Sequence, residues 1–238
     1  MKTHSPSLTP VSPQPATRER LVMTAMKLFW EKGYESTSVA DVLREAQANS
    51  GSLYHFFPGK QDLLLAVLAA YRDGIGPMLL EPAWQGVDDP IERVFALLAR
   101  YRQSIVSTDC VYGCPIGSLA LEIHEPDPAV RALLMANFDA WVGAIQGCLD
   151  AAKDRLPKRT DRRALAEFVL TTMEGGVMQA RTYRDVAYFD RAVAQLRSYF
   201  DALASAAGPL RDRGKGRSKW RGATASNVRP IRSGKRAT

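Results

Sequence analysis

The chain has 238 residues, an apolar fraction of 46% and three cysteines, enough for a sizeable core but an odd number unsuited to a disulfide framework. No apolar run reaches the ~20 residues that span a bilayer, and the Ser-, Thr- and Pro-rich start from Met1 to Ala16 lacks the apolar stretch of a secretory signal. The net charge of +7 resides in the tail, where Gly208 to Thr238 carries ten Lys or Arg against Asp212 alone, so the rest sums to about −2. Residues 17–62 hold six basic and six acidic side chains, and a nucleic-acid reading must therefore rest on motif, not on charge. A reducing, cytoplasmic setting with no membrane fits this composition.

In chain order, residues 1–16 carry four prolines and read as a disordered arm. A first helix is expected from Thr17 as N-cap, with Leu21, Ala25, Leu28 and Phe29 forming one stripe and Gly33 as C-cap. Ser38-Val39-Ala40-Asp41 has the form of a capping box opening a second helix to about Ala46. A short third helix starts at Asn49 or Ser50 and stops at Phe57-Pro58-Gly59. Lys60-Gln61-Asp62 launches a fourth, apolar at Leu63, Leu64, Val67 and Leu68. Further helices are expected over 90–106, 115–123, 128–156, 161–184 and 185–207, and residues 208–238 read as a basic disordered tail. No segment alternates like a strand, so the fold class is all-α, with about nine helices.

Two short helices joined by Ala46 to Asn49 match helix-turn-helix geometry, whose second helix enters the major groove. Asn49, Ser50 and Ser52 are small and polar enough to reach base edges or phosphates. Gly51 permits close approach of the backbone. Tyr54 and His55 can donate to phosphate oxygens, Ser38 joins them as a candidate DNA contact, and Lys60 opens a helix whose N-terminal amides can share a phosphate with it. The run from Ser36 to Val42, the run Gly51-Ser52-Leu53-Tyr54-His55-Phe56-Phe57-Pro58-Gly59-Lys60-Gln61-Asp62-Leu63-Leu64, and Ala25 to Phe29 followed by Gly33-Tyr34 closely resemble the DNA-binding domain of the TetR (tetracycline-repressor-like) family. The departures are the bulkier Val42-Leu43-Arg44-Glu45-Ala46 and the Ala48-Asn49 start of the third helix. They leave the fold intact but bar any transfer of an operator sequence.

The resemblance implies a DNA-binding domain over 17–63 (motif 38–57) and a ligand-binding and dimerisation domain over 64–207. It also implies a homodimer on double-stranded operator DNA, released by a small-molecule effector. Repression is the family's default role and activation the alternative. Phe189, Val193, Leu196, Phe200 and Leu203 step by four and three residues, and Leu165, Phe168, Val169 and Thr172 form a similar face. These seams suit either a dimer-making four-helix bundle or this subunit's own core. Gly175-Gly176 inside a helix suggests a close helix approach. Phe95, Tyr101, Met135, Phe138 and Trp141 are candidates for a ligand pocket, with ordinary core packing as the competing reading.

Cys110 and Cys114, followed by Pro115-Ile116-Gly117, are similar to a Gly-Cys-Pro segment of a TetR subgroup that includes electrophile and redox sensors. Cys114 before a helix N-terminus is expected to have a lowered pKa and is a candidate sensor thiol, with a buried inert cysteine as the leading alternative. A zinc site from Cys110, Cys114, His124 and Cys148 matches no compact zinc spacing. No cofactor or metal is expected. Neither paired carboxylates, a Ser/His/Asp set nor a phosphate loop can be assembled, which argues against an enzyme.

Overall fold

The computed structural model describes residues 16–207; the expected arm before residue 16 and the basic tail lie outside them. The described residues fold into ten α-helices without a strand, one helix (α5) being a single turn. Helices α1 (Thr17–Lys32), α2 (Val39–Glu45), α3 (Ser50–Phe56) and α4 (Lys60–Ile75) form the N-terminal head. A π-helical turn, Gly76–Leu80, leads to α5 (Glu81–Trp84). The body follows as α6 (Pro90–Ser107), α7 (Pro115–Glu122), α8 (Pro128–Ala151), α9 (Arg162–Tyr183) and α10 (Ala187–Ala206).

Local chemistry explains most boundaries. Prolines occupy the first turn of α6, α7 and α8, where the missing N–H costs nothing. Asp89, Asp127 and Asp161 accept from first-turn amides of α6, α8 and α9. Thr17 is a helical residue rather than the expected cap: extended Ala16 takes that place without a side-chain bond, and its carbonyl receives Arg20 N–H at 3.0 Å. The helix expected over 128–156 ends at Ala151, with a 3₁₀ turn over Lys153–Arg155.

Two apolar clusters organise the packing. The first joins Leu21, Ala25, Leu53, Leu63 and Val67 of the head to Ile116 and Leu119 of α7 and Val130 and Leu134 of α8. The boundary expected at 63/64 thus falls inside α4, and the head shares its core with the body. The second cluster unites α6, the distal half of α8, α9 and α10. Each fully buried Leu or Phe contributes about 1.5–3 kcal/mol. By length and mean hydropathy, Lys60–Trp84 and Pro128–Ala151 each match a bilayer span, a likeness that single apolar runs did not reveal. In this fold α4 and α8 pack together, and buried Asn137 donates from Nδ2 to Leu68 O (3.0 Å) and Leu133 O (2.8 Å).

The α9 and α10 seams face this subunit's own core and not, as the dimer reading expected, a partner. Leu165, Val169, Phe189, Leu196 and Phe200 are buried in this subunit's own core, and Val193 and Leu203 pack against it. The stripe is used up by contacts of α10 with α9 and α6, so it is not a surface offered to a second chain. Phe168 alone of the predicted interface set is exposed, at 48%, edge-to-face with exposed Tyr199 at 5.8 Å. The two glycines separate similarly. A Cβ on Gly176 would lie 3.0 Å from the Phe189 ring and 3.5 Å from its Cα, so this residue permits the α9–α10 approach, whereas Gly175 faces open space.

Candidate DNA-reading head and effector cavity

Each helix of the reading motif opens on its own side-chain cap. Ser38 Oγ accepts from Asp41 N–H at 3.1 Å while Asp41 Oδ2 accepts from Ser38 N–H, also at 3.1 Å. The Ser38 hydroxyl and amide, with Arg44, hold the Asp41 carboxyl far below its usual range. Asn49 Oδ1 accepts from Ser52 N–H at 2.8 Å, so Asn49 caps α3 as well as facing outward. Between the caps Gln47 takes a left-handed conformation, φ 51, that closes the turn. Leu53 and Phe57 anchor α3 in the core. Consequently Ser50, Gly51, Tyr54 and His55 stand on its free side, with Tyr54 56% exposed.

A shallow concavity brings Thr17 of α1 beside Asn49, Gly51, Ser52, His55 and Phe56. Thr17 and Phe56 were missed by sequence reasoning. The only signal for Thr17 was a hydroxyl at the start of a helix, which read as a cap. Lys60 is less free than expected: its Nζ lies 4.2 Å over the Tyr34 ring and 3.4 Å from Glu35 O.

The loop between α1 and α2 is gripped from the body. Backbone N–H groups of Tyr34 and Glu35 donate to Glu122 Oε2 and Oε1 at 2.9 and 2.8 Å. Gly33, at φ +90°, makes room for this clasp, since a Cβ there would stand 2.8 Å from Glu122 Oε1. Buried Thr37 completes the loop by donating to Gly33 O at 2.7 Å. Glu122 is the last residue of α7, and just before the other end of α7, Gly113 O accepts from Trp30 Nε1 of α1 at 2.8 Å. Helix α7 is therefore a strut bonded to the head near both ends.

A cavity of about 640 Å³ opens beside this strut, within the usual size of small-molecule sites. Its walls come from α1 (Met26, Trp30), α4 (Tyr71), α6 (Tyr101, Ser104), the start of α7 (Cys114, Ile116), α8 (Asn137, Phe138, Trp141) and α9 (Met173, Glu174, Val177). Of the five predicted lining residues, Tyr101, Phe138 and Trp141 are present. Phe95 instead packs edge-to-face on Phe200 at 5.4 Å, and Met135 is 58% exposed on the outside of α8. Periodicity identified their helices but not their angular position. Lining from α1 and α9 was not foreseen, because those residues read as ordinary core and seam.

Two polar atoms in this wall lack hydrogen-bond partners, Trp141 Nε1 and Glu174 Oε1. Cys114 is 8% exposed beside Glu174, and burial, then the neighbouring carboxylate, push its thiol pKa up rather than down. Desolvation and a nearby negative charge outweigh the favourable start of α7, which corrects the expectation of an activated thiol. All three cysteines are buried free thiols, and no His, Cys, Asp or Glu cluster suited to a metal occurs among the described residues. A thiol reagent at pH 7 is expected to leave all three unlabelled in the native protein and to label all three in denaturant. Rapid native labelling of Cys114 would contradict this assignment.

An exposed recognition helix capped by Asn49, on a head strutted to a cavity-bearing helical body, defines a helix-turn-helix DNA-binding regulator. Residues 21–67 match the family model described as bacterial regulatory proteins, tetR family. Residues 90–196 match the tetracyclin repressor-like C-terminal domain. An HTH-type transcriptional regulator of Mycobacterium tuberculosis (strain ATCC 25618 / H37Rv) is 34% identical over 76% of this chain and 92% of its own length. The HTH-type transcriptional repressor DhaR of Mycobacterium sp. (strain GP1) is 25% identical over 78% of this chain and 91% of its own. The crystal structure of a TetR regulatory protein from Rhodobacter sphaeroides superposes with a TM-score of 0.69 at 24% identity, covering 78% of this chain and 97% of that one. The chain belongs to the TetR family and is a DNA-binding transcriptional regulator.

Proposed function

We propose that the protein is a homodimeric, cytoplasmic repressor that leaves a palindromic operator when a small molecule fills the cavity between α1, α7 and α9. The observation that carries this reading is the double role of α7. Cys114 and Ile116, at its start, line the cavity, and Glu122 at its far end holds the α1–α2 loop of the head. An occupant that displaces the start of α7 therefore works directly on the orientation of the reading helix. Two such heads on a two-fold axis would read successive major grooves about 34–36 Å apart. A coupling of about 1–3 kcal/mol, typical of allosteric proteins, changes operator occupancy roughly 5–150-fold. Relatives named repressors, such as DhaR and the Escherichia coli ComR, favour repression over activation.

For the dimer, the exposed face of α9 and α10 is the supporting feature. Phe168 and Tyr199 present aromatic surface there, and side-chain-free Gly175 leaves space for a partner's approach. The direct test is binding of the purified chain to its own upstream DNA at near-physiological salt with excess competitor. A discrete complex is expected to survive deletion of residues 208–238 and to vanish in the tail-deleted Tyr54→Ala variant. Binding lost on tail deletion alone would mean that only non-specific phosphate contacts had been seen.

A further inference from the structure

The chemistry of the cavity wall restricts what can occupy it. Glu174 projects from α9 onto the first turn of α7, where Gly117 has no side chain; a Cβ there would collide with Glu174 Oε2 and lie 2.9 Å from its Cδ. The carboxylate is thus seated on bare backbone, with Oε1 buried and without a hydrogen-bond partner. Among the described residues no Lys, Arg or His forms an ion pair with it. The two cations in the lining are already engaged, Lys27 with Glu45 on α2 at 3.0 Å and Arg100 with Gln103 Oε1 at 3.1 Å. Its close neighbours are the Cys114 thiol and the Tyr101 phenol, neither of which supplies positive charge.

Burial disfavours the ionised form of Glu174, the Cys114 thiol offsets this only in part, and its Oε1 stays idle unless a cation or donor completes it. We infer that the occupant of this cavity is a lipophilic molecule carrying a protonated amine, its ammonium on Glu174 and its apolar body against the aromatic wall. The inference rests on the cavity being the effector site. The rest of the wall agrees with it. Trp30, Tyr71, Tyr101, Phe138 and Trp141 line it with aromatic rings, a side-chain class that attracts cations as well as apolar groups. Trp141 Nε1–H is directed at the neighbouring Tyr101 phenol but makes no well-formed hydrogen bond, and an acceptor on the same molecule would complete it. Burial pushes the Glu174 carboxyl pKa up, so an ammonium beside it would restore the charged form, whereas an uncharged ligand would not and an anionic one would oppose it. Because Glu174 rests on the first turn of α7, the ammonium would act where the strut begins.

The test uses the full-length protein and a matched series, 4-phenylbutylamine, 4-phenylbutanol and 4-phenylbutyrate. Binding is followed by quenching of tryptophan fluorescence, since Trp30 and Trp141 line the cavity, and by calorimetry. The amine is expected to bind about tenfold tighter than the alcohol, with the carboxylate weakest. Glu174→Gln keeps the shape and should abolish the amine's advantage while leaving the alcohol within about threefold. Ser104→Trp, at the exposed rim, should weaken all three. An amine no tighter than the alcohol, an advantage that survives Glu174→Gln, or no binding of the amine overturns the inference. If the alcohol then binds in a Ser104→Trp-sensitive way and releases the operator, the effector-site reading stands and only the charge assignment fails. If none of the three is affected by Ser104→Trp, the cavity itself is not the site.

Discussion

Replacing Glu122 with alanine is expected to lower stability by about 2 kcal/mol and to blunt the response of operator binding to any cavity ligand. The two amides that donate to its carboxylate belong to Tyr34 and Glu35, so the substitution removes both bonds between the end of α7 and the α1–α2 loop. Hydrogen bonds to a charged acceptor are worth about 1.5–3 kcal/mol each, reduced here because the site is partly open to water. For a chain of this size the melting temperature should fall by roughly 4–8 °C. Glu122→Gln keeps one acceptor and should lie between alanine and the parent. Gly33→Ala should resemble Glu122→Ala from the other side of the clasp, since its Cβ would crowd Glu122 Oε1 at a backbone angle that alanine rarely adopts. Thermal melts together with operator titrations, with and without the amine probe, check the effect. A Glu122→Ala protein that melts normally and releases DNA as readily as the parent would show that α7 is not the connection.

The second large effect separates neighbouring residues on α10. Phe200→Ala should cost about 3–5 kcal/mol, because Phe200 is 2% exposed and packs on Phe95 within the subunit. That corresponds to a drop in melting temperature of roughly 6–20 °C. Tyr199→Ala, one residue earlier but 47% exposed, should leave the fold of the dilute protein within about 0.5 kcal/mol. Its effect should appear instead in sedimentation, as a shift from dimer toward monomer. The reverse pattern, a mild Phe200→Ala and an unfolded Tyr199→Ala, would return the apolar seam to the subunit interface.

That pair shows where reading from sequence stops. The seam of α10 is plain in its spacing, yet an apolar stripe records only that a face is buried. It carries no information about which element covers it. The reading head is the opposite case, because its determinants are local. Ser38 with Asp41, Asn49 with Ser52, and the Phe57-Pro58-Gly59 break act within three or four residues, so the second and third helices were legible to within about a residue. The prolines opening α6, α7 and α8 were legible for the same reason.

The cavity was half legible. Tyr101, Phe138 and Trp141 sit on helices that any reading would single out, but Phe95 and Met135 share those helices and turn elsewhere. Rotation about a helix axis is set by what packs against it. Cys114 shows the point most sharply. Its place before a helix favours a thiolate, and burial beside Glu174, brought in from α9, reverses the sign. By itself the sequence determined the all-α class, the caps and breaks, and the recognition helix, since each depends on neighbours along the chain. Only the tertiary structure decided the core role of the α10 seam, the state of Cys114, the idle Glu174 Oε1 and the Glu122 clasp across 88 residues, since each depends on groups that only folding brings together.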